Sequence, residues 1–179
     1  MKRLLLALTI LTVVVIADQT TKLWAVERLA DQSSIEIIDS LVRFTLVYNE
    51  GGAMGTRIGN SDLYLYLAIA VLAVIGWFIY SHRTHLPSLI ALSSVAGGAV
   101  GNIIDRVRLG KVIDFIDVDI PDVHMLGLDL ERWWTFNVAD AAISCAIVYL
   151  LIVFLFQKQS TQHIVAPEAI VTTPKEDSI

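Results

Sequence analysis

The sequence predicts an all-α membrane protein with four transmembrane helices and a small extramembrane β segment on the outer side of the membrane. Hydrophobic residues make up 55% of the 179 residues, and the mean hydropathy is +0.66, which is too apolar for an ordinary soluble domain. Charged residues make up only 17% of the chain, and they fall between apolar runs rather than within them. Those runs are long enough, at ~1.5 Å per helical residue, to cross most of a ~30 Å hydrocarbon core.

The first apolar run begins like a secretory signal peptide, with a basic start at Met1–Arg3 and an apolar core from Leu4 to Ala17. No convincing small-x-small cleavage site follows and the helical pattern continues, so we predict an uncleaved span from Leu4 to about Leu29. Asp18 and Lys22 lie four residues apart on one face, with the acid first, which favours an ion pair. Two interpretations stay open: a helix-end pair that snorkels to the interface, or a functional pair near membrane depth.

After the first span, the hydrophobic pattern changes from helical to alternating. Between Ser33 and Asn49, apolar and polar residues are interleaved and β-branched residues are frequent, which predicts two short strands on the bilayer surface. The turn at 49–55 contains glycines that allow close approach of the backbone to another group. A second span is predicted from Leu63 to Tyr80.

The third span is predicted from Leu86 to about Ile104. Gly97 and Gly101 form a small-xxx-small pair that allows a neighbouring helix to pack closely. A second face of the same helix carries Gly98, Asn102 and Arg106.

A second extramembrane segment is predicted over residues 107–135, and its scattered acids are most simply a solvated face. The fourth span is predicted from Val138 to Phe156. Residues 1–156 would thus form one four-span membrane domain, and residues 157–179 a polar, disordered cytoplasmic tail. Lys and Arg in the short connections and at the termini place both termini in the cytoplasm and the larger loops outside.

Composition excludes several kinds of function. The net charge of −5 gives no reason to expect a nucleic-acid partner. Cys145 is the single cysteine, so there is no intrachain disulfide, and we expect it to be a small buried hydrophobe. None of the histidines lies on an apolar face, and there is no His-Glu-x-x-His motif for zinc proteolysis.

What remains is a set of carboxylates among apolar residues. Asp114 lies between Ile113 and Phe115, and Asp140 enters the fourth apolar run. Such acids are costly unless they are paired, neutralised or used. Two acids at one membrane boundary would share a proton, so that one deprotonates a water while the other donates to the developing oxyanion.

Two other functions fit an acidic membrane protein. A lipid phosphotransferase would hold a divalent metal with several acids at helical spacing, but Asp105 and Asp114 are too far apart along one helix. A small channel or transporter would use an acid-lined path, but no internal repeats or broken helices are evident.

Taken together and in order, five motifs resemble the bacterial lipoprotein signal peptidases, also called signal peptidase II. The resemblance spans nearly the whole chain except the tail, and it rests on these segments: Asp18-Gln-Thr-Thr-Lys22, Asn49-Glu-Gly51-Gly-Ala53, Gly98-Ala-Val-Gly101-Asn102-Ile-Ile-Asp105-Arg106, Val112-Ile-Asp114-Phe115 and Phe136-Asn137-Val-Ala139-Asp140. Met54 departs from the family, which usually has an aromatic residue there, and this affects the shape of the pocket rather than the chemistry.

The resemblance implies that Asp114 and Asp140 are the catalytic pair. The implied supporting and substrate-binding residues are Asp18, Lys22, Asn49, Gly98, Asn102, Asp105, Arg106 and Asn137. The implied reaction is hydrolysis before the diacylglyceryl-modified cysteine of a prolipoprotein, with no metal or cofactor. The expected partners are these prolipoproteins and membrane lipids, and the protein is expected to be a monomer in the bacterial inner membrane with its site near the periplasmic face.

Overall fold

The fold contains four long helices, as the sequence predicts. A computed structural model describes residues 1–31, 34–39, 41–52, 61–81, 84–119, 123–125, 128–130 and 134–162. Helices α1 (Lys2–Leu29), α2 (Ser61–Ser81), α3 (Leu86–Leu109) and α4 (Val138–Gln162) each contain a stretch that is long and apolar enough to cross a membrane. The predicted four-span architecture is therefore confirmed.

Helices α3 and α4 extend well beyond their predicted C-terminal ends. Helix α3 continues past Ile104 to Leu109 and stops where Gly110 adopts a left-handed φ of 70° and donates its N–H to the carbonyl oxygen of Arg106. Helix α4 continues past Phe156 to Gln162. Residues 157–162 of the predicted tail therefore belong to α4, and residues 163–179 lie outside the described part of the chain.

Three strands form an antiparallel sheet in the order β1-β2-β3. Strands β1 (Ile35–Ile38) and β2 (Val42–Asn49) confirm the two predicted strands, and β3 (Val112–Val118) comes from the segment between α3 and α4. The first four residues of β3 are all buried, so this strand lacks the alternation that marks a half-exposed strand. The remaining strands, β4 (Val123–Met125) and β5 (Leu128–Leu130), pair with each other.

Helix α3 contacts each of the other three helices, and its glycines allow two of these contacts to be close. A Cβ atom on Gly97 would lie 2.8 Å from Cβ of Val14 in α1, and one on Gly98 would lie 2.6 Å from the carbonyl oxygen of Ala139 in α4. A Cβ atom on Gly101 would overlap the carboxylate of Asp18. The small-xxx-small pair therefore packs against α1, while Gly98 packs against α4.

The sheet joins the helices through a small aromatic core. Trp24 of α1 lies edge-to-face with Phe44 of β2 and Phe115 of β3, at ring-centroid distances of 5.3 and 6.3 Å. Ala25 and Leu29 complete this core. The sheet is thereby fixed to one end of α1, which sets the position of the residues that β3 carries.

The structure corrects two further expectations. Asp117 is not part of a solvated face: it is only 6% exposed, it pairs with Arg43 across β2 and β3, and it accepts a hydrogen bond from Oγ1 of Thr45 at 3.2 Å. Cys145 is exposed rather than buried, because it lies on an outward face of α4. In a membrane that face would meet lipid, where a small apolar side chain has no reason to be buried.

Candidate active site

Asp114 lies in β3 with its side chain nearly enclosed, at 3% exposure. Its Oδ1 accepts a hydrogen bond from Nδ2 of Asn137 at 2.7 Å, and its Oδ2 accepts one from Nδ2 of Asn49 at 3.1 Å. Burial and, to a smaller extent, the nearby Asp140 raise the pKa of this carboxyl from 3.8 to about 6, against the opposing effect of the hydrogen bonds from Asn49 and Asn137. Asp114 can therefore take up and release a proton near neutral pH.

Asp140 lies in the first turn of α4, where local hydrogen bonds hold its carboxylate in place. Its backbone N–H donates to Oδ1 of Asn137 at 3.0 Å, and its Oδ2 accepts from the backbone N–H of Asn137 at 3.3 Å. This reciprocal pair has the geometry of a capping box. Oδ1 of Asp140 accepts from Nδ2 of Asn102 at 2.9 Å, which leaves the half-buried carboxylate oriented by two donors.

Asn137 connects the two acids directly. It is fully buried, and it contacts Asp114 with its side chain and Asp140 with both its side chain and its backbone. Its Nδ2 also lies 3.1 Å from Oδ1 of Asn102. The fold thus brings Asp114 and Asp140, from separate elements, into hydrogen bonds with one asparagine.

Lys22 is the centre of a buried ionic cluster beside the two acids. Its Nζ lies 2.8 Å from each of three oxygens: Oδ2 of Asp18, Oδ2 of Asp105 and Oδ1 of Asn102. Only 1% of Lys22 is exposed, so the ion pair with Asp18 is confirmed and the snorkelling interpretation is wrong. Asn102 hydrogen-bonds both Lys22 and Asp140, so the ammonium group of Lys22 is linked to Asp140 through one side chain.

The two acids of this cluster also hold the backbone on which the catalytic candidates lie. Oδ1 of Asp18 accepts from the N–H of Ala139 at 2.9 Å, and Oδ2 of Asp105 accepts from the N–H of Ile113 at 3.2 Å. Ala139 directly precedes Asp140, and Ile113 directly precedes Asp114. The cluster therefore fixes the chain next to each acid.

Gln19 is a further candidate site residue, which the sequence did not predict. Its Nε2 lies 3.0 Å from Oδ1 of Asp105, 3.1 Å from the carbonyl oxygen of Gly101 and 3.2 Å from Oδ2 of Asp18. It therefore bridges the two carboxylates that share Lys22. The sequence feature that could have indicated Gln19 is its position beside Asp18, in a polar stretch of an otherwise apolar helix.

The predicted glycine turn lies at the edge of the site. Nη2 of Arg106 donates to the carbonyl oxygen of Gly51 at 3.1 Å, and the Gly51 N–H donates to Oδ1 of Asn49 at 2.9 Å. Gly51 and Gly52 are both buried. Residues 53–60, with Met54 among them, lie outside the described residues. All ten predicted site residues thus lie in or beside this one hydrogen-bonded arrangement, with Gly98 providing the close contact between α3 and α4.

Comparisons with known proteins assign the chain to one protein family. The family described as signal peptidase (SPase) II matches residues 10–156. The lipoprotein signal peptidase of Chlorobium phaeobacteroides is 34% identical over 86% of this chain and 94% of the relative. That of Chlorobaculum tepidum is 38% identical over 73% of this chain and 84% of the relative.

Solved structures agree with the sequence relatives. Two structures described as bacterial membrane enzymes superpose with TM-scores of 0.70 and 0.69, at 29% and 31% sequence identity. The first match covers 91% of this chain and 93% of that structure, and the second covers 83% and 92%. The chain therefore belongs to the signal peptidase II family.

Proposed function

We propose that this protein is a membrane aspartic endopeptidase that removes the signal peptide from prolipoproteins by hydrolysis before the diacylglyceryl-modified cysteine. The observation that carries the proposal is the meeting of Asp114 and Asp140 on Asn137. Family membership supports the reaction class, since the relatives are named lipoprotein signal peptidases. The two carboxylates would activate the attacking water.

In the proposed mechanism, the two carboxyl groups share one proton. Two like charges at short range resist simultaneous ionisation, so one acid holds a proton while the other accepts a proton from water. The water then attacks the peptide carbonyl carbon, and the protonated acid donates to the developing oxyanion and later assists the leaving amine. The raised pKa of Asp114, about 6, is suited to such an exchange near neutral pH.

The surrounding residues support this chemistry by orienting the acids. Asn49, Asn102 and Asn137 supply neutral N–H donors, which hold the carboxylates without fixing both of them in the charged form. Lys22 adds a positive charge through Asn102 rather than by direct contact with Asp140. Held this way, the acids need little rearrangement when charge develops in the reaction.

The position of the site suits a lipidated substrate. Asp140 lies in the first turn of a helix that is apolar enough to cross a membrane, and Asp114 lies in the sheet attached to the same end of the bundle. A cysteine carrying diacylglyceryl chains would reach this boundary with its acyl chains already in the bilayer. We accordingly propose a bacterial inner-membrane location with the site near the periplasmic face, action as a monomer, and no metal or cofactor.

The test compares a diacylglyceryl-modified prolipoprotein with the unmodified precursor, using the purified full chain in detergent. We expect cleavage of the modified substrate alone, because lipid places the scissile bond at the depth of the acids. Equal turnover of the unmodified precursor would contradict the lipid requirement. Addition of EDTA should leave the rate unchanged, whereas inhibition by EDTA would favour metal-dependent chemistry.

A further inference from the structure

A pocket lies between α1, α3 and the sheet. It has a volume of about 130 Å³. Its lining includes Gln19, Lys22 and Asp105 but neither Asp114 nor Asp140. The ionic cluster therefore has one side toward the site, through Asn102, and another side toward this pocket.

The pocket has one apolar wall, and Arg108, which lines it, and Lys111, which contacts the lining residue Tyr48, are called the rim cations below. The apolar wall is formed by Leu23, Val26, Leu109 and Ile113. Arg108 and Tyr48 also line it, and Nζ of Lys111 lies 4.4 Å above the centre of the Tyr48 ring. A pocket that combines an apolar wall, an aromatic ring and two nearby cations matches a phospholipid, which joins acyl chains to an anionic phosphate.

The two rim cations are available for an anion. Within the described part of the chain, neither Arg108 nor Lys111 forms an ion pair with a carboxylate. Arg106, two residues before Arg108, is already engaged with the glycine turn on the side of the acids. The charged residues that line the pocket are Lys22, Asp105 and Arg108, so the lining carries a net charge of +1.

We propose that this pocket binds an anionic phospholipid of the leaflet nearest the sheet, with its phosphate held by Arg108 and Lys111 and an acyl chain lying against Leu23, Val26 and Leu109. Arg108 lies in the last turn of α3, at the level where a spanning helix leaves the hydrocarbon core. Arginine binds phosphate through its planar fork of donors. This proposal does not depend on the catalytic role of the two acids.

The test measures lipid binding by the full chain in detergent micelles. Native mass spectrometry and thermal unfolding are recorded with phosphatidylglycerol, phosphatidylcholine or soluble glycerol 3-phosphate. We expect the wild type to retain phosphatidylglycerol preferentially and to unfold at a higher temperature with it. The variant R108Q/K111Q should lose this preference, with roughly tenfold weaker retention of the anionic lipid for loss of the charge-assisted contacts.

Two controls separate the pocket from general charge effects. K2Q/R3Q removes the same charge from the other end of α1 and should keep the lipid preference. R108K keeps a cation at the rim and should retain part of it. Equal lipid preference in the wild type and R108Q/K111Q would overturn the proposal. So would an equal loss of preference in K2Q/R3Q, or an equal thermal shift with glycerol 3-phosphate, which would indicate a site for free phosphate.

Discussion

Lys22→Met is expected to destabilise the fold by about 3–5 kcal/mol, the usual cost of removing one partner from a buried ion pair. Lys22 lies 2.8 Å from the carboxylates of both Asp18 and Asp105 and is only 1% exposed. Methionine fills a similar volume but provides no charge and no N–H donors. Two carboxylates would then lie close together without a counter-ion, and Asn102 would lose the donor that orients it toward Asp140.

The physical cause can be tested by removing the orphaned charges as well. In the triple variant D18N/K22M/D105N, the asparagine oxygens can still accept from the N–H groups of Ala139 and Ile113. Because no uncompensated charge is left, this variant should be within about 1–2 kcal/mol of the wild type. It should thus be more stable than the single variant although it carries more substitutions.

The measurement is the free energy of unfolding in mixed detergent micelles, followed by tryptophan fluorescence. Trp24 packs in the aromatic core under the sheet, so it reports separation of the sheet from α1. Lys2→Met removes an exposed lysine from the same helix and should change stability by less than about 0.5 kcal/mol. A loss below about 1 kcal/mol in Lys22→Met, or a triple variant no more stable than the single, would refute the argument.

Three further outcomes are expected. Asp114→Asn and Asp140→Asn should each abolish nearly all cleavage in single-turnover assays, and the double variant should be hardly worse because the pair acts as a unit. The control Asp117→Asn, a matched change on the same strand as Asp114, should keep wild-type cleavage. A double variant whose loss is the product of the two single losses, or about a tenth of the activity left in either single variant, would contradict the shared-proton pair. The pKa of Asp114 is raised from 3.8 to about 6 in the folded state, so the folded protein binds the Asp114 proton more tightly than the unfolded chain does. The resulting stabilisation is present below pH ~4 and is lost as the pH rises to ~6, by up to roughly 3 kcal/mol. A plot of the free energy of unfolding against pH should have a flatter slope over this range in Asp114→Asn, and an unchanged slope would mean that other groups cause the pH dependence. Gly98→Ala should displace the first turn of α4, since the new Cβ would lie 2.6 Å from a backbone oxygen there, and should lower stability by about 1–3 kcal/mol and reduce cleavage. The control Gly76→Ala, whose Cβ would meet no atom within 4 Å, should be neutral or stabilising by up to about 1 kcal/mol. Equal effects of the two substitutions on unfolding and cleavage would show that packing at Gly98 does not position Asp140.

The sequence alone determined the features that depend on neighbouring residues. Four apolar runs of spanning length predicted α1 to α4, and alternation between Ser33 and Asn49 predicted strands β1 and β2. These patterns act locally, because a run of apolar side chains seeks lipid whatever else the chain contains. The unusual acids could also be recognised locally, since Asp114 and Asp140 stand among apolar residues.

Only the tertiary structure determined which of these side chains are in contact with one another. Ala139 and Asp18 are 121 residues apart in the chain but are joined by a hydrogen bond, and no local pattern encodes that distance. The same holds for Asn137 between the two acids and for Gln19 between two carboxylates. Asp117 and Cys145 were placed wrongly for the corresponding reason, because burial depends on which surface a neighbouring element covers. Apolar patterning selects each element separately, whereas the packing of α1, α3, α4 and β3 against one another sets the geometry of the site.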